Sequence, residues 1–312
     1  MRLALSLLTA AGLTALAASS PAAEPQPQSK NKRLLLVTHS GGFIHDSVGV
    51  AEDTLKDIGP KNGFDVTCWR FTGDPEKKVK AAAKKGEPAK DTTWLERYSD
   101  EFRAKTGYTV GKENIGRINK DTLKNFDCVL FFTTGSKRNG QSPLTDDELK
   151  DLMEWVKAGG AFAGTHCATD TLYDTPYGAL VGGFFVNHPW HQKIKLTVED
   201  SKHPAAAGFA TGAEITDEIY QFTDSPYSRE KLHIILSVDN SSIDTNKKDV
   251  VRKDKDFAVA WCQEYGKGKS FYTSLGHRKE VWKDERFQKH LIGGLKWATG
   301  EVPGDATPSA KK

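Results

Sequence analysis

Apolar runs without alternation most narrowly restrict what this chain can fold into. They fall at 34–38, 127–132 and 161–164. A strand that is apolar on every residue is covered on both faces, which is the condition of a parallel sheet wrapped by helices. After the first run, Val48, Ala51, Leu55 and Ile58 recur at helical spacing, with Asp46 or Ser47 placed to cap and Gly59-Pro60 placed to stop the helix. Residues 64–70 read as the next strand. Strand, helix and strand within about forty residues make a βαβ unit, whose crossover is right-handed.

The pattern breaks and then resumes. Residues 72–112 are Lys- and Ala-rich and weakly helical, and read as a surface insertion with a solvated charged face. After the strand at 127–132, Thr145 and Glu148 form a capping box, Leu149, Leu152, Met153 and Val156 form a buried stripe, and Gly159-Gly160 ends the helix. Beyond Gly182-Gly183, Ile194, Leu196 and Val198 alternate with Lys193, Lys195 and Thr197, as in an antiparallel sheet wetted on one face. Residues 232–238 are another strand, and 257–265 and 270–274 flank the hairpin turn Gly266-Lys267-Gly268. Phe287, Leu291, Leu295 and Trp297 mark a last helix ending at Gly300. The fold expected is α/β and doubly wound, mostly parallel and flavodoxin-like, with an antiparallel C-terminal extension.

The termini and composition set the address. Arg2, an apolar stretch over 3–18 and small residues through Ala23 read as a cleaved secretory signal over 1–23. A Pro- and Gln-rich linker follows at 24–32, then one domain over 33–300 and a disordered tail at 301–312. The protein is expected to be exported, to the periplasm or beyond the cell. No later stretch is apolar for long enough to span a bilayer, and a net charge of +3 is too small to imply nucleic acid. A second copy of the chain is an expected partner. Of the cysteines, Cys68, Cys128 and Cys262 sit in or beside strands and Cys167 at a strand-to-helix bend, which favours buried free thiols over disulfides.

Four strand ends finish in small, hydroxyl-bearing or histidine residues: Thr38-His39-Ser40, Thr133-Thr134-Gly135, Thr165-His166-Cys167 and Leu275-Gly276-His277. In an open parallel sheet these carboxyl ends share the edge where ligands bind. The bend at 164–167 has the form of a nucleophile elbow, with His166 nearer its apex than Cys167. Asn187-His188-Pro189-Trp190-His191 is the densest cluster. His188 and His191 read either as ligands of a divalent ion such as zinc, completed over long range by His39, His45, His166 or His277, or as hydrogen-bonded structural histidines. Asp217 and Glu218 face opposite ways in an extended segment, so only one can enter a cleft. Ser40-Gly41-Gly42-Phe43 permits close backbone approach, but no nucleotide-binding signature is present.

Taken together, Gly159-Gly160 through His166 with Ala168-Thr169-Asp170-Thr171, Gly182-Gly183 with His188-Pro189-Trp190-His191, Thr216-Asp217-Glu218-Ile219-Tyr220, Tyr265-Gly266-Lys267-Gly268, and Leu275-Gly276-His277 with Trp282 resemble the ThuA-like (trehalose utilisation) family. That family has a class I glutamine-amidotransferase-like, flavodoxin-related fold. The resemblance implies carbohydrate metabolism, with disaccharides or 3-keto sugars as substrates. It carries over His45, His166, His188, His191, Glu218 and His277 as cleft residues without assigning roles. The insertion at 72–112 and Cys167 depart from the family pattern. The expected catalytic groups are His166, His188, Glu218 and His277. Substrate is expected at His39, His45, Thr134, Thr165, Asp170, Trp190 and Trp282, with Trp282 as an apolar wall of the kind sugars stack on. The rival readings are a non-catalytic sugar-binding or scaffolding module and a Cys-dependent amidotransferase-like hydrolase.

Overall fold

Strand β1 (Lys32–Val37) sends Leu34 and Leu36 into one hydrophobic cluster and Leu35 and Val37 into another, all four fully buried. The period of two thus builds a core on each face of the sheet. At about 1.5–3 kcal/mol for each fully buried aliphatic side chain, a strand of this kind has no stable alternative at the surface. The computed structural model describes residues 31–81, 90–136 and 141–311. The expected signal segment, the linker up to residue 30 and the end of the Lys-rich run lie outside the described residues.

In chain order the further elements are α1 (Val48–Lys61), β2 (Phe64–Trp69), β3 (Lys78–Lys80), β4 (Asp91–Thr93), α2 (Trp94–Thr106), α3 (Lys120–Leu123), β5 (Cys128–Phe131) and α4 (Asp146–Lys157). They continue with β6 (Ala161–Thr165), α5 (Tyr177–Val181), β7 (Phe185–Val198), β8 (Glu214–Phe222), β9 (His233–Val238), β10 (Ala258–Tyr265), β11 (Gly268–Thr273), α6 (Lys279–Lys283) and α7 (Glu285–Ala298). The large sheet has the order β2-β1-β5-β6-β11-β10-β9-β7-β8. Its first five strands are parallel, in the flavodoxin order, and β11 is the seam: it runs parallel to β6 and antiparallel to β10. Buried residues of α1, α6 and α7 join the cluster of Leu34, and those of α3, α4 and α5 join the cluster of Leu35. The doubly wound expectation therefore holds, with the antiparallel extension attached at its last parallel strand.

Four local expectations need correction. Gly59 and Pro60 lie within the last turn of α1 and do not stop it; the helix is capped at Asn62, whose amide donates to the Gly59 carbonyl, while the amide of Gly63 donates to that of Pro60. Ser47 precedes α1 but caps nothing with its side chain, which donates instead to the Gly276 carbonyl. The insertion is more than a charged face, because Trp94, Tyr98 and Phe102 of α2 are buried in the main core. The tail is docked along 303–310: Trp297 donates to the Gly304 carbonyl, and the amides of Ser309 and Ala310 donate to Leu232 and Arg229. Tail residues thus take up hydrogen bonds at the start of β9, where β7 is not paired with it. All four cysteines are free and buried.

Candidate active site

The carboxyl ends of β1, β6 and β11 deliver three histidines to one place. After β6 the chain turns sharply through a 3₁₀ turn over His166–Thr169, and His166 takes a left-handed φ of 44°. A non-glycine residue there is strained by about 1–2 kcal/mol, and such strain is characteristic of working sites. Close packing secures the bend: a Cβ on Gly164 would stand 2.9 Å from that of Ala168. After β11, Gly276 adopts φ 124°, a conformation suited to glycine, and turns the chain so that His277 faces inward. His45 descends from the β1–α1 loop and meets both, with ring centroids 4.9 Å from His166 and 5.2 Å from His277.

The carboxylate comes from the far edge of the sheet. Only Leu196 to Val198 of β7 pair with β9; the earlier part of β7 pairs with β8 alone, as a two-stranded ribbon. Through this ribbon Glu218 and Tyr220, two residues apart on one face of β8, meet His166. Glu218 Oε2 lies 3.5 Å from His166 Nε2 and 3.2 Å from His277 Nδ1, and Oε1 lies 3.4 Å from His188 Nδ1. Pairing is irregular between Asn187 and Trp190, where Pro189 has no amide to offer, and this irregularity aims His188 at Glu218.

Hydrogen bonds fix the ring of His166. Its Nδ1 is 2.9 Å from the Ser274 carbonyl, which can only accept, so Nδ1 carries the proton. Nε2 then faces the cleft, 2.9 Å from the Tyr220 hydroxyl and 3.1 Å from His277 Nδ1. Burial works against ionising Glu218, but the neighbouring His166 and His277 outweigh this and hold the carboxyl well below its usual range. Burial also pulls His277 down, yet the bond to Glu218 and the charges of Glu218, Asp217 and Asp46 leave it raised. Burial, reinforced by His166 and His277, pushes His45 far towards its neutral form. Asp170 lines the same cleft and is raised by burial.

The cleft has a volume of about 450 Å³ and is lined by Phe43, His45, Asp170, Phe185, His188, Glu218, Tyr220 and His277. Of the residues expected there from the sequence, His45, Asp170, His188, Glu218 and His277 line it, and His166 lies directly beneath. Others are elsewhere. His39 is fully buried against Phe71, Trp94 and Tyr98 and is bonded to Thr72. Trp190 packs on Phe257 and donates to the Asp244 carbonyl. Trp282 stacks on Phe132 beneath the site and donates to the Gly276 carbonyl, so it is core and no platform. Thr165 donates to the Leu275 carbonyl, and Thr134 braces the Gly42–Phe43 loop. Both threonines shape the site without opening onto it.

His191 does not join His188. It sits opposite Glu218 in the β7–β8 register but turns to Arg278, with its ring 5.0 Å from that of His277. Among the described residues, the donor set at this site comprises His45, His166, Glu218 and His277, and includes neither His188 nor His191. Cys167 is fully buried, and burial pushes its thiol far up, so it offers no accessible thiolate. Three cleft residues went unassigned in the sequence: Phe43, Phe185 and Tyr220. Phe43, 59% exposed at the rim, supplies the aromatic surface expected of Trp282. Its position after Gly41-Gly42 was the available signal.

The ThuA family model, described as trehalose utilisation, matches residues 33–298. Two solved structures share the fold. A protein described as ThuA-like from Bacteroides uniformis is 17% identical at a TM-score of 0.55, covering 94% of this chain and 100% of its own. Another so described, from Parabacteroides merdae, is 15% identical at 0.56, covering 90% and 96%. No curated protein matches the chain.

Proposed function

Since the chain belongs to the ThuA family, we propose that it is an exported carbohydrate-processing enzyme acting on disaccharides or their 3-keto derivatives by His/Glu acid–base chemistry. The observation that carries the reading is the convergence of His166, Glu218 and His277 under a cleft whose rim is aromatic. The composition of residues 1–23 supports export. Phe43 and Phe185 suit the apolar face of a sugar ring. The ketone of a 3-keto sugar acidifies the adjacent C–H, and a histidine base is matched to neutral pH.

His188, half-exposed at the mouth, removes that proton. The C–H electron pair moves into the carbonyl, and the resulting enediolate oxygen is stabilised by the group formed by His166, Glu218 and His277. Expulsion of the glycosidic oxygen from the next carbon, with the proton handed to it by His188, gives elimination. Return of the proton to carbon gives isomerisation. Incubation of the purified protein with 3-keto-glucosides tests the reading. Product should form, and His166→Ala and His188→Ala should each slow it by about 10²-fold or more. Tight sugar binding by calorimetry with no product would replace this reading with that of a non-catalytic binding module.

A further inference from the structure

His166 Nε2, His277 Nδ1 and Glu218 Oε2 form a triangle with edges of 3.1, 3.2 and 3.5 Å. Three donors bound to one tetrahedral ion at about 2.0–2.1 Å stand about 3.3–3.4 Å apart. The triangle already has the dimensions of one face of such a coordination sphere. A fourth donor is close by: His45 is 4% exposed, and its Nδ1 is buried without a hydrogen-bond partner among the described residues. One ring nitrogen of His45 and the donor atoms of the other three residues all lie within 4.8 Å of one another.

Protons alone fit this arrangement poorly. With the proton of His166 committed to the Ser274 carbonyl, Nε2 can only accept, as it does from the Tyr220 hydroxyl, and has no proton to offer Glu218 Oε2 3.5 Å away. A single proton on His277 Nδ1 serves one contact at a time and does nothing for His45. A divalent cation engages all four at once. The carbonyl behind His166 is also the partner that a metal-ligating histidine commonly uses to fix its tautomer. Three neutral imidazoles and one carboxylate make a donor set suited to zinc and its neighbours, and unlike the oxygen cages of calcium or magnesium.

We propose that His45, His166, Glu218 and His277 bind one divalent transition-metal ion of the zinc class, and that this ion, expanding to take the substrate oxygen as a fifth ligand, is the group that polarises it. The second half rests on the acid–base reading of the cleft; the first does not. With one carboxylate in the set, the bound site carries a net charge of about +1, the sign needed opposite an enediolate oxygen. His188 remains outside the set and free to move protons.

The full chain, stripped with a chelator and dialysed against Zn²⁺, should take up one equivalent per chain. Glu218→Gln and His45→Ala should each weaken Zn²⁺ binding by more than about 100-fold, and far-UV circular dichroism should show both variants folded. The near-isosteric Glu218→Gln keeps the test valid if His45→Ala fails to fold. Co²⁺ in place of Zn²⁺ should give the strong visible absorption of a tetrahedral site, lost in Glu218→Gln. His188→Ala should bind Zn²⁺ as the wild type does while losing turnover. Uptake well below one equivalent, or uptake unchanged in folded Glu218→Gln, overturns the site. Turnover of 3-keto-glucosides by the stripped protein overturns the role of the ion and leaves the sugar reading intact. Stoichiometric Zn²⁺ uptake without turnover leaves the site and removes the sugar reading.

Discussion

Two adjacent acids on β8 have opposite tasks. Glu218 faces the histidines, whereas Asp217 is fully buried and accepts from the amides of Gly276, at 2.7 Å, and Arg278, at 3.0 Å. It holds the residues on either side of His277, so it is a positioning residue. Burial raises its carboxyl, opposed by His166 and by these amides. Asp217→Ala would strand two buried donors at about 1–3 kcal/mol each. Chemical denaturation should show a loss of about 2–6 kcal/mol, partly restored in Asp217→Asn, which keeps one acceptor. An alanine variant as stable as the wild type would mean the loop holds itself. At this scale the sequence was legible only in part. Period-two geometry says that Asp217 and Glu218 diverge, but which one enters the cleft depends on a ribbon register set far along the chain. The indole of Trp282 misled for a related reason: its position after His277 suggested a wall, and only the packing of Phe132 shows that it lies underneath.

Elements that announce themselves are those whose burial is complete. β1, β5 and β6 are buried at every position from Leu34, Cys128 and Ala161 onwards, and the β10–β11 hairpin is marked by its glycines. Elements whose partners are remote do not. The stripe of Trp94, Tyr98 and Phe102 was obscured by surrounding lysines, and the C-terminal tail has only scattered small apolar residues such as Val302 and Ala306. Yet the tail supplies Ser309 Oγ to the Ile234 amide and the Thr307 carbonyl to His233 Nδ1, besides its own backbone bonds to Leu232 and Arg229. Removing residues 303–312 leaves these groups unpaired and uncovers Trp297. Thermal and urea unfolding of the truncated chain should reveal a loss of about 2–4 kcal/mol. An unchanged midpoint would show the tail to be an ornament of the surface.

Across the whole molecule, acid sensitivity has an identifiable source away from the cleft. Burial lowers His39 to about 3 and His290 to about 4, and burial with help from His233 lowers His203 to about 4. Unfolded, each titrates near 6.5. Above that pH both states are neutral and stability is complete; below it the unfolded chain binds protons that the folded one refuses, so stability falls until about pH 4. The slope is up to about 1.4 kcal/mol per pH unit for each histidine. Urea midpoints should therefore drop steadily from pH 7 to 4.5, and His203→Gln should flatten the decline by about one proton's worth. A flat profile in the wild type would contradict the burial of these rings. The topology has a further consequence. The donors at positions 45, 166, 218 and 277 come from loops and strands spread over nearly the entire chain, and the last arrives only after β11 is in place. A ribosome-bound fragment that stops short of His277 lacks the complete centre. Any ion would be captured after synthesis is finished, and the compartment where folding ends would decide which element is loaded.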